Sequence, residues 1–194
     1  MAPPDRDLLI AAQLVESMAK TTSFSEFERH WQDFLYRLER SWEVALRSAK
    51  ELGGVAQQWV SSNSALRKRD SLLTFLKHAR NAETHAVEQT VDHDLLLSMR
   101  DRLSRPFEIE SVTASLENGV LMIDVKSPNL NRDWIGGLIP GNPQLKRFKT
   151  RDGWHNPPTE HLGQKLTDLH PVAVASLGLS FYRSQYASLC ALRR

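Results

Sequence analysis

A chain of 194 residues, 41% of them hydrophobic, can bury a sizeable core, and two fully independent domains would be cramped in that length. Its formal charge of +2 is too small to point to a polyanionic partner, so any nucleic-acid reading must come from where the charges lie. A single cysteine, Cys190, excludes an internal disulfide and a cysteine-based zinc site, and no run of about 18 apolar residues is present to span a membrane.

The start, Met1-Ala2-Pro3-Pro4-Asp5-Arg6, lacks the basic and apolar regions of a secretory signal, so the expected location is cytoplasmic. Over residues 5–20, Leu8, Leu9, Ala12, Val15 and Ala19 recur at helical spacing. A second helix follows Thr21-Thr22-Ser23 and places Phe24, Phe27, Trp31, Phe34, Leu35, Leu38, Trp42 and Leu46 on one stripe, which reads as core. Glu26, Glu28, Arg29, Arg37, Glu39 and Arg40 fall mostly elsewhere, and Gly53-Gly54 ends the helix. A short stretch through Trp59 leads to Ser61-Ser62-Asn63-Ser64, read as a loop. The next helix is predicted from near Ala65 or Asp70 to about Thr90, and a shorter one from Asp92 or Asp94 to about Leu103, with Asp92-His93-Asp94 as its start. Pro106 stops the helical series.

From Phe107 the texture changes. Phe107, Ile109, Val112, Ala114 and Leu116 alternate with polar residues, and Val120-Leu121-Met122-Ile123-Asp124-Val125 follows Asn118-Gly119, a hairpin signal. Residues 127–165 are rich in Pro, Gly, Asn and Trp and read as mostly irregular, with one strand near 145–150. The run Asn156-Pro157-Pro158-Thr159-Glu160-His161-Leu162-Gly163 reads as a fixed loop with a packing role. Pro171 opens an amphipathic helix carrying Val174, Leu177, Leu179, Phe181, Tyr182, Tyr186 and Leu189. The expected fold is mainly α, α+β overall: a helical bundle over 1–105, a β-hairpin and Pro/Gly-rich insertion over 106–168, and a C-terminal helix over 169–194 that packs back on the bundle.

One constellation carries chemistry. In the helix containing Leu72-Leu73-Thr74-Phe75-Leu76, Arg80 precedes His85 with Asn81 between them. At about 100° per residue, Leu72, Phe75, Leu76, Ala79, Ala82 and Ala86 form the apolar face, while Arg80, Asn81, Thr84 and His85 share the opposite one. Glu83, three residues after Arg80, is placed to fix the guanidinium by an ion pair, and Leu73 with Val87 forms a second apolar edge suited to a dimer contact.

These residues resemble the motif helix of the HEPN superfamily, whose members are similar in having an arginine, often followed by a polar residue such as asparagine, and a histidine four to six positions on. Many members cleave RNA. The resemblance covers roughly residues 24–103 and implies a helical bundle in which two protomers place their motifs across a shared cleft. It implies metal-independent cleavage of RNA with no cofactor: Arg80 binds phosphate, His85 moves protons and Asn81 assists, supported by Glu83 and Thr84. No tyrosine stands two positions after His85, so the toxin subgroup with that residue is not supported. A homodimer is expected, and a protein partner such as an antitoxin would suit a toxin or phage-defence setting.

Two basic runs extend the RNA reading: Arg67-Lys68-Arg69, and Lys146-Arg147-Phe148-Lys149 with Arg151 and Trp154. Histidines 30, 78, 93, 155, 161 and 170 are scattered without metal-ligand spacing, so no metal is expected. The alternatives are a HEPN-like dimerisation or binding module without catalysis, and a chain whose hairpin and insertion recognise protein or nucleic acid while the helices carry them.

Overall fold

The structure is a computed structural model describing residues 3–86, 88–101, 109–117, 120–128 and 134–192. Helices α1 (Pro3–Lys20) and α2 (Phe24–Leu52) pack along each other. Ser23 caps α2 by accepting from the Glu26 amide, and α2 buries Phe27, Trp31, Phe34, Leu35, Leu38 and Trp42, the stripe its periodicity predicts. Gly53, at φ 64°, ends it in a conformation that side-chain-bearing residues rarely adopt.

A 3₁₀ turn (Gly53–Ala56) then leads into α3 (Gln57–Arg69). The expected loop at residues 61–64 is therefore helical. The polar side chains bond within the helix: Ser61 Oγ donates to the Gln58 carbonyl and the buried Asn63 amide to the Trp59 carbonyl. Trp59 itself is buried and stacks on Trp42 at 5.6 Å, which outweighs the turn-like composition.

Asp70, extended at ψ 127°, separates α3 from α4 (Ser71–Asn81). The predicted long helix to Thr90 is thus shorter, and it closes in a π turn over Ala82–Ala86. Where a further helix was expected from 92 or 94 to 103, the chain forms strand β1 (Val91–Asp101), paired with β4 (Trp134–Leu145). Thr90 makes that change of direction. Its amide and hydroxyl both donate to Glu83, and its carbonyl accepts from the Lys146 amide. The run Leu95-Leu96-Leu97 has no period of its own and follows that anchor.

The predicted hairpin is present as β2 (Ser111–Glu117) and β3 (Val120–Lys126), antiparallel from Ser111↔Lys126 to Glu117↔Val120. Phe107, Asn118 and Gly119 lie outside the described residues. Further on, β5 (Phe148–Thr150) pairs with β6 (Gly153–His155) and β7 (Glu160–His161) with β8 (Gln164–Lys165), so the 127–165 segment holds more strand than its composition indicates. Two compact units result, residues 1–94 with 142–194, and residues 95–141. The second unit is shifted from the expected 106–168: it begins at Leu95, inside the expected 1–105 bundle, and the segment from Asn142 belongs to the helical unit. No helix among the described residues is long and apolar enough to cross a membrane.

Helix α5 (Pro171–Ala191) closes the first unit. Gly178 permits its close approach to α4: a Cβ there would overlap the Leu76 side chain. At the N-terminus of α4, Asp70 gathers three donors. Its carboxylate accepts from the Leu73 amide at 2.9 Å, the Leu162 amide at 2.6 Å and His161 Nδ1 at 3.0 Å, while the Thr159 amide donates to Ser71 Oγ. This is the packing role expected of the 156–163 loop. Asp70→Ala removes a helix cap and strands buried donors, so it should lower unfolding free energy by about 2–3 kcal/mol, read as an earlier urea midpoint.

Candidate functional site

Arg80 stands in the last turn of α4, half-buried, with Nη1 donating to Asn81 Oδ1 at 3.2 Å. Asn81 thus holds one end of the guanidinium. Arg80 borders a cavity of about 280 Å³ whose other walls are Tyr36, Arg40, Glu43, Val44 and Arg47, all from α2. Three arginines against one glutamate make this an electropositive hollow, and Arg40 is also held from the side by Asp7 of α1 at 3.4 Å.

The expected ion pair between Arg80 and Glu83 gives way to another arrangement. Glu83 Oε1 accepts from both the amide and hydroxyl of Thr90, and Oε2 accepts from Gln32 at 3.0 Å. Trp31 Nε1 donates in turn to Thr90 Oγ1 at 2.9 Å. Glu83 therefore ties the π turn to α2 and to the start of β1. Thr84 is exposed beside it. His85 lies within the π turn, and its side chain is outside the described residues, as is Val87. A π turn advances each residue by less than the roughly 100° of an α-helix, so position 85 sits nearer position 80 around the axis than an unbroken helix would place it.

Several expected site residues are elsewhere. Arg67 is buried, 7% exposed, with Nε donating to Tyr182 Oη at 2.7 Å, a salt bridge to Glu39, and its guanidinium over the Trp42 ring at 4.6 Å. It is a core residue and offers RNA nothing; Lys68 and Arg69 are exposed. Burial pushes the Tyr182 phenol up to about 12, so it stays neutral and the guanidinium charge is answered by Glu39. Phe148 is fully buried against Phe75 and His155, not available for stacking on RNA. Leu73, expected on a dimer edge, is fully buried as well. Asp92 and Asp94 bond Lys146 and Gln144 from a strand, not a helix start.

Lys146, Arg147, Lys149, Arg151 and Trp154 are exposed. Trp154 carries the Arg147 guanidinium 4.2 Å over its ring, with the Lys149 ammonium at 5.8 Å. This hairpin packs on α4 through Phe75 and His78. His78 lies two residues before Arg80, about 200° around the axis, so the basic hairpin and the arginine cavity occupy different sides of α4.

Sequence reading missed the pairing of His78 with His155. Their rings stack at 3.9 Å with an 18° tilt; His155 Nε2 bonds Thr150 Oγ1 at 2.8 Å, and His78 Nδ1 lies 3.8 Å from Asp152. Nothing local joins residues so far apart in the chain. Burial lowers both pKa values below 6.5, and at His78 a charge on His155 and Lys77 lowers it further against the pull of Asp152. The neutral pair is the folded form. Its contribution is complete above about pH 6.5 and is lost as pH falls through the depressed folded values, because the unfolded chain then binds more protons. Urea midpoints should therefore drop between pH 7.5 and 5.5, and drop less in His78→Phe; parallel declines would contradict this.

No protein-family model matches the chain, nor does any curated protein or any solved structure.

Proposed function

We propose that this chain is a HEPN-like, metal-independent endoribonuclease that works as a homodimer. The observation that carries the reading is Arg80: it borders an open, arginine-lined cavity at the end of α4, immediately before the π turn that holds His85. A guanidinium at such an opening suits the non-bridging oxygens of a phosphodiester, and π turns are frequent at functional sites.

In the proposed reaction the ribose 2′-oxygen attacks the adjacent phosphorus and gives its proton to His85. The bond to the 5′-oxygen breaks, leaving a 2′,3′-cyclic phosphate and a 5′-hydroxyl. The leaving oxygen takes a proton from a second acid. A two-fold dimer supplies that group as the partner's His85, while Arg80 spreads the charge building on the phosphoryl oxygens. The exposed Lys146, Arg147, Lys149, Arg151 and Trp154 add a sequence-independent hold on RNA from the other side of α4.

Incubating the protein with structured and unstructured RNA in chelator tests this. Cleavage that is lost in Arg80→Ala and in His85→Ala, with folding kept, supports the enzyme. Binding without cleavage in all three proteins supports a non-catalytic module instead, and equal cleavage in all three marks a contaminant.

A further inference from the structure

The wall of the cavity opposite Arg80 is a single face of α2. Tyr36, Arg40, Glu43 and Arg47 recur at i, i+4, i+7 and i+11, which at about 100° per residue aligns them along about 16 Å of helix. This face turns away from the apolar stripe of Trp31, Phe34, Leu35, Leu38 and Trp42, which leaves its side chains free of the core. Asp7 and Glu43 answer part of the arginine charge, and the lining of three arginines and one glutamate leaves the hollow positive.

Arg40 and Arg80 are held in place. Asp7 accepts from Arg37 at 3.0 Å and lies 3.4 Å from Arg40 Nε, tying both to α1. Arg37 lies 5.6 Å over one face of the Tyr36 ring, and Tyr36 remains 44% exposed. Asn81, the next residue on α4, accepts from Arg80 at 3.2 Å. The volume, about 280 Å³, admits a phosphate with part of its sugar but no duplex.

The geometry points to a binding site for one nucleotide unit of single-stranded RNA on this face, with an unpaired base stacked on Tyr36 and its phosphate held among Arg40, Arg47 and Arg80. Only an unpaired base presents its ring to a tyrosine, and a planar guanidinium matches the phosphate oxygens two at a time. Glu43 stands ready to accept from a ribose hydroxyl. The choice of ligand rests on the RNA reading above; the α2 residues and the single-stranded form go beyond it.

The test is anisotropy with a short labelled uridine oligonucleotide in chelator, using His85→Ala protein so that binding is read apart from cleavage. Arg47→Ala and Tyr36→Leu, both exposed changes, are added to that background, with Lys20→Ala as a charge-matched control on α1. Arg47→Ala should weaken binding roughly tenfold and reduce the salt slope by about 0.7, and Tyr36→Leu should weaken it roughly fivefold, with the control unchanged. Uridine monophosphate should compete at lower concentration than inorganic phosphate, and the oligonucleotide should bind more tightly than either. Affinities within twofold of the control overturn the site, as does inorganic phosphate competing as well as the nucleotide. If the parent protein never cleaves RNA but these shifts hold, the nuclease reading fails and this site stands.

Discussion

Replacing His85 by alanine is expected to slow RNA cleavage in chelator by about 10²- to 10⁴-fold, the range that general acid–base groups supply. In the proposed dimer each site uses one histidine as base and the other as acid, so the variant loses both roles at once. Arg80→Ala should cost about 10²-fold, and Arg80→Lys should recover only part of it. A lysine keeps the charge but presents a point rather than a fork, and it no longer meets Asn81 Oδ1 in the same way. Because Arg80 is half-buried at the end of α4 and borders solvent, its replacement should shift the urea midpoint far less than it shifts rate. Gel assays with end analysis for 2′,3′-cyclic phosphate read the effect. Full activity in His85→Ala would remove the histidine from the chemistry.

The largest loss of stability should come from Arg67→Ala, about 3 kcal/mol of unfolding free energy. The side chain joins α3 to α2 through Glu39, to α5 through Tyr182, and lies against Trp42. Its removal leaves the Glu39 carboxylate, 17% exposed, without its buried partner and opens a void beside Trp42. Lys68→Ala and Arg69→Ala, exposed neighbours in the same basic run, should stay within about 0.5 kcal/mol of the parent. Urea melts on the three variants make the comparison, and equal small effects would mean that the Arg67 network contributes nothing.

That contrast shows where sequence alone stopped. The stripe on α2 and the opening of α5 at Pro171 were legible because one period runs through many residues, and the strands flanking Asn118-Gly119 because turn chemistry fixes register. Arg67 was not: three consecutive basic residues look alike in a sequence, and only the third dimension shows which one faces Trp42 and Tyr182. β1 escaped for a related reason, since Leu95-Leu96-Leu97 fits either period and the decision is made by Thr90, bonded to Glu83 and Lys146.

The candidate site was half legible. Arg80, Asn81 and His85 stood out through their spacing on one segment. Tyr36, Arg40 and Arg47 were visible only as the outside of α2, because the packing of α4 against α2 is what sets them opposite Arg80. The His78–His155 stack had no signal at all, for its partners meet only when β5 and β6 fold onto α4.

Both the proposed cleavage and the proposed nucleotide site require a phosphodiester lodged beside Arg80. A structure of His85→Ala protein with a short single-stranded RNA would decide it. Phosphate oxygens are expected within hydrogen-bonding reach of the Arg80 guanidinium, with Arg47 against the same backbone and a base on Tyr36. RNA found only on the Lys146 to Trp154 hairpin, with the cavity between α2 and α4 empty, would contradict it.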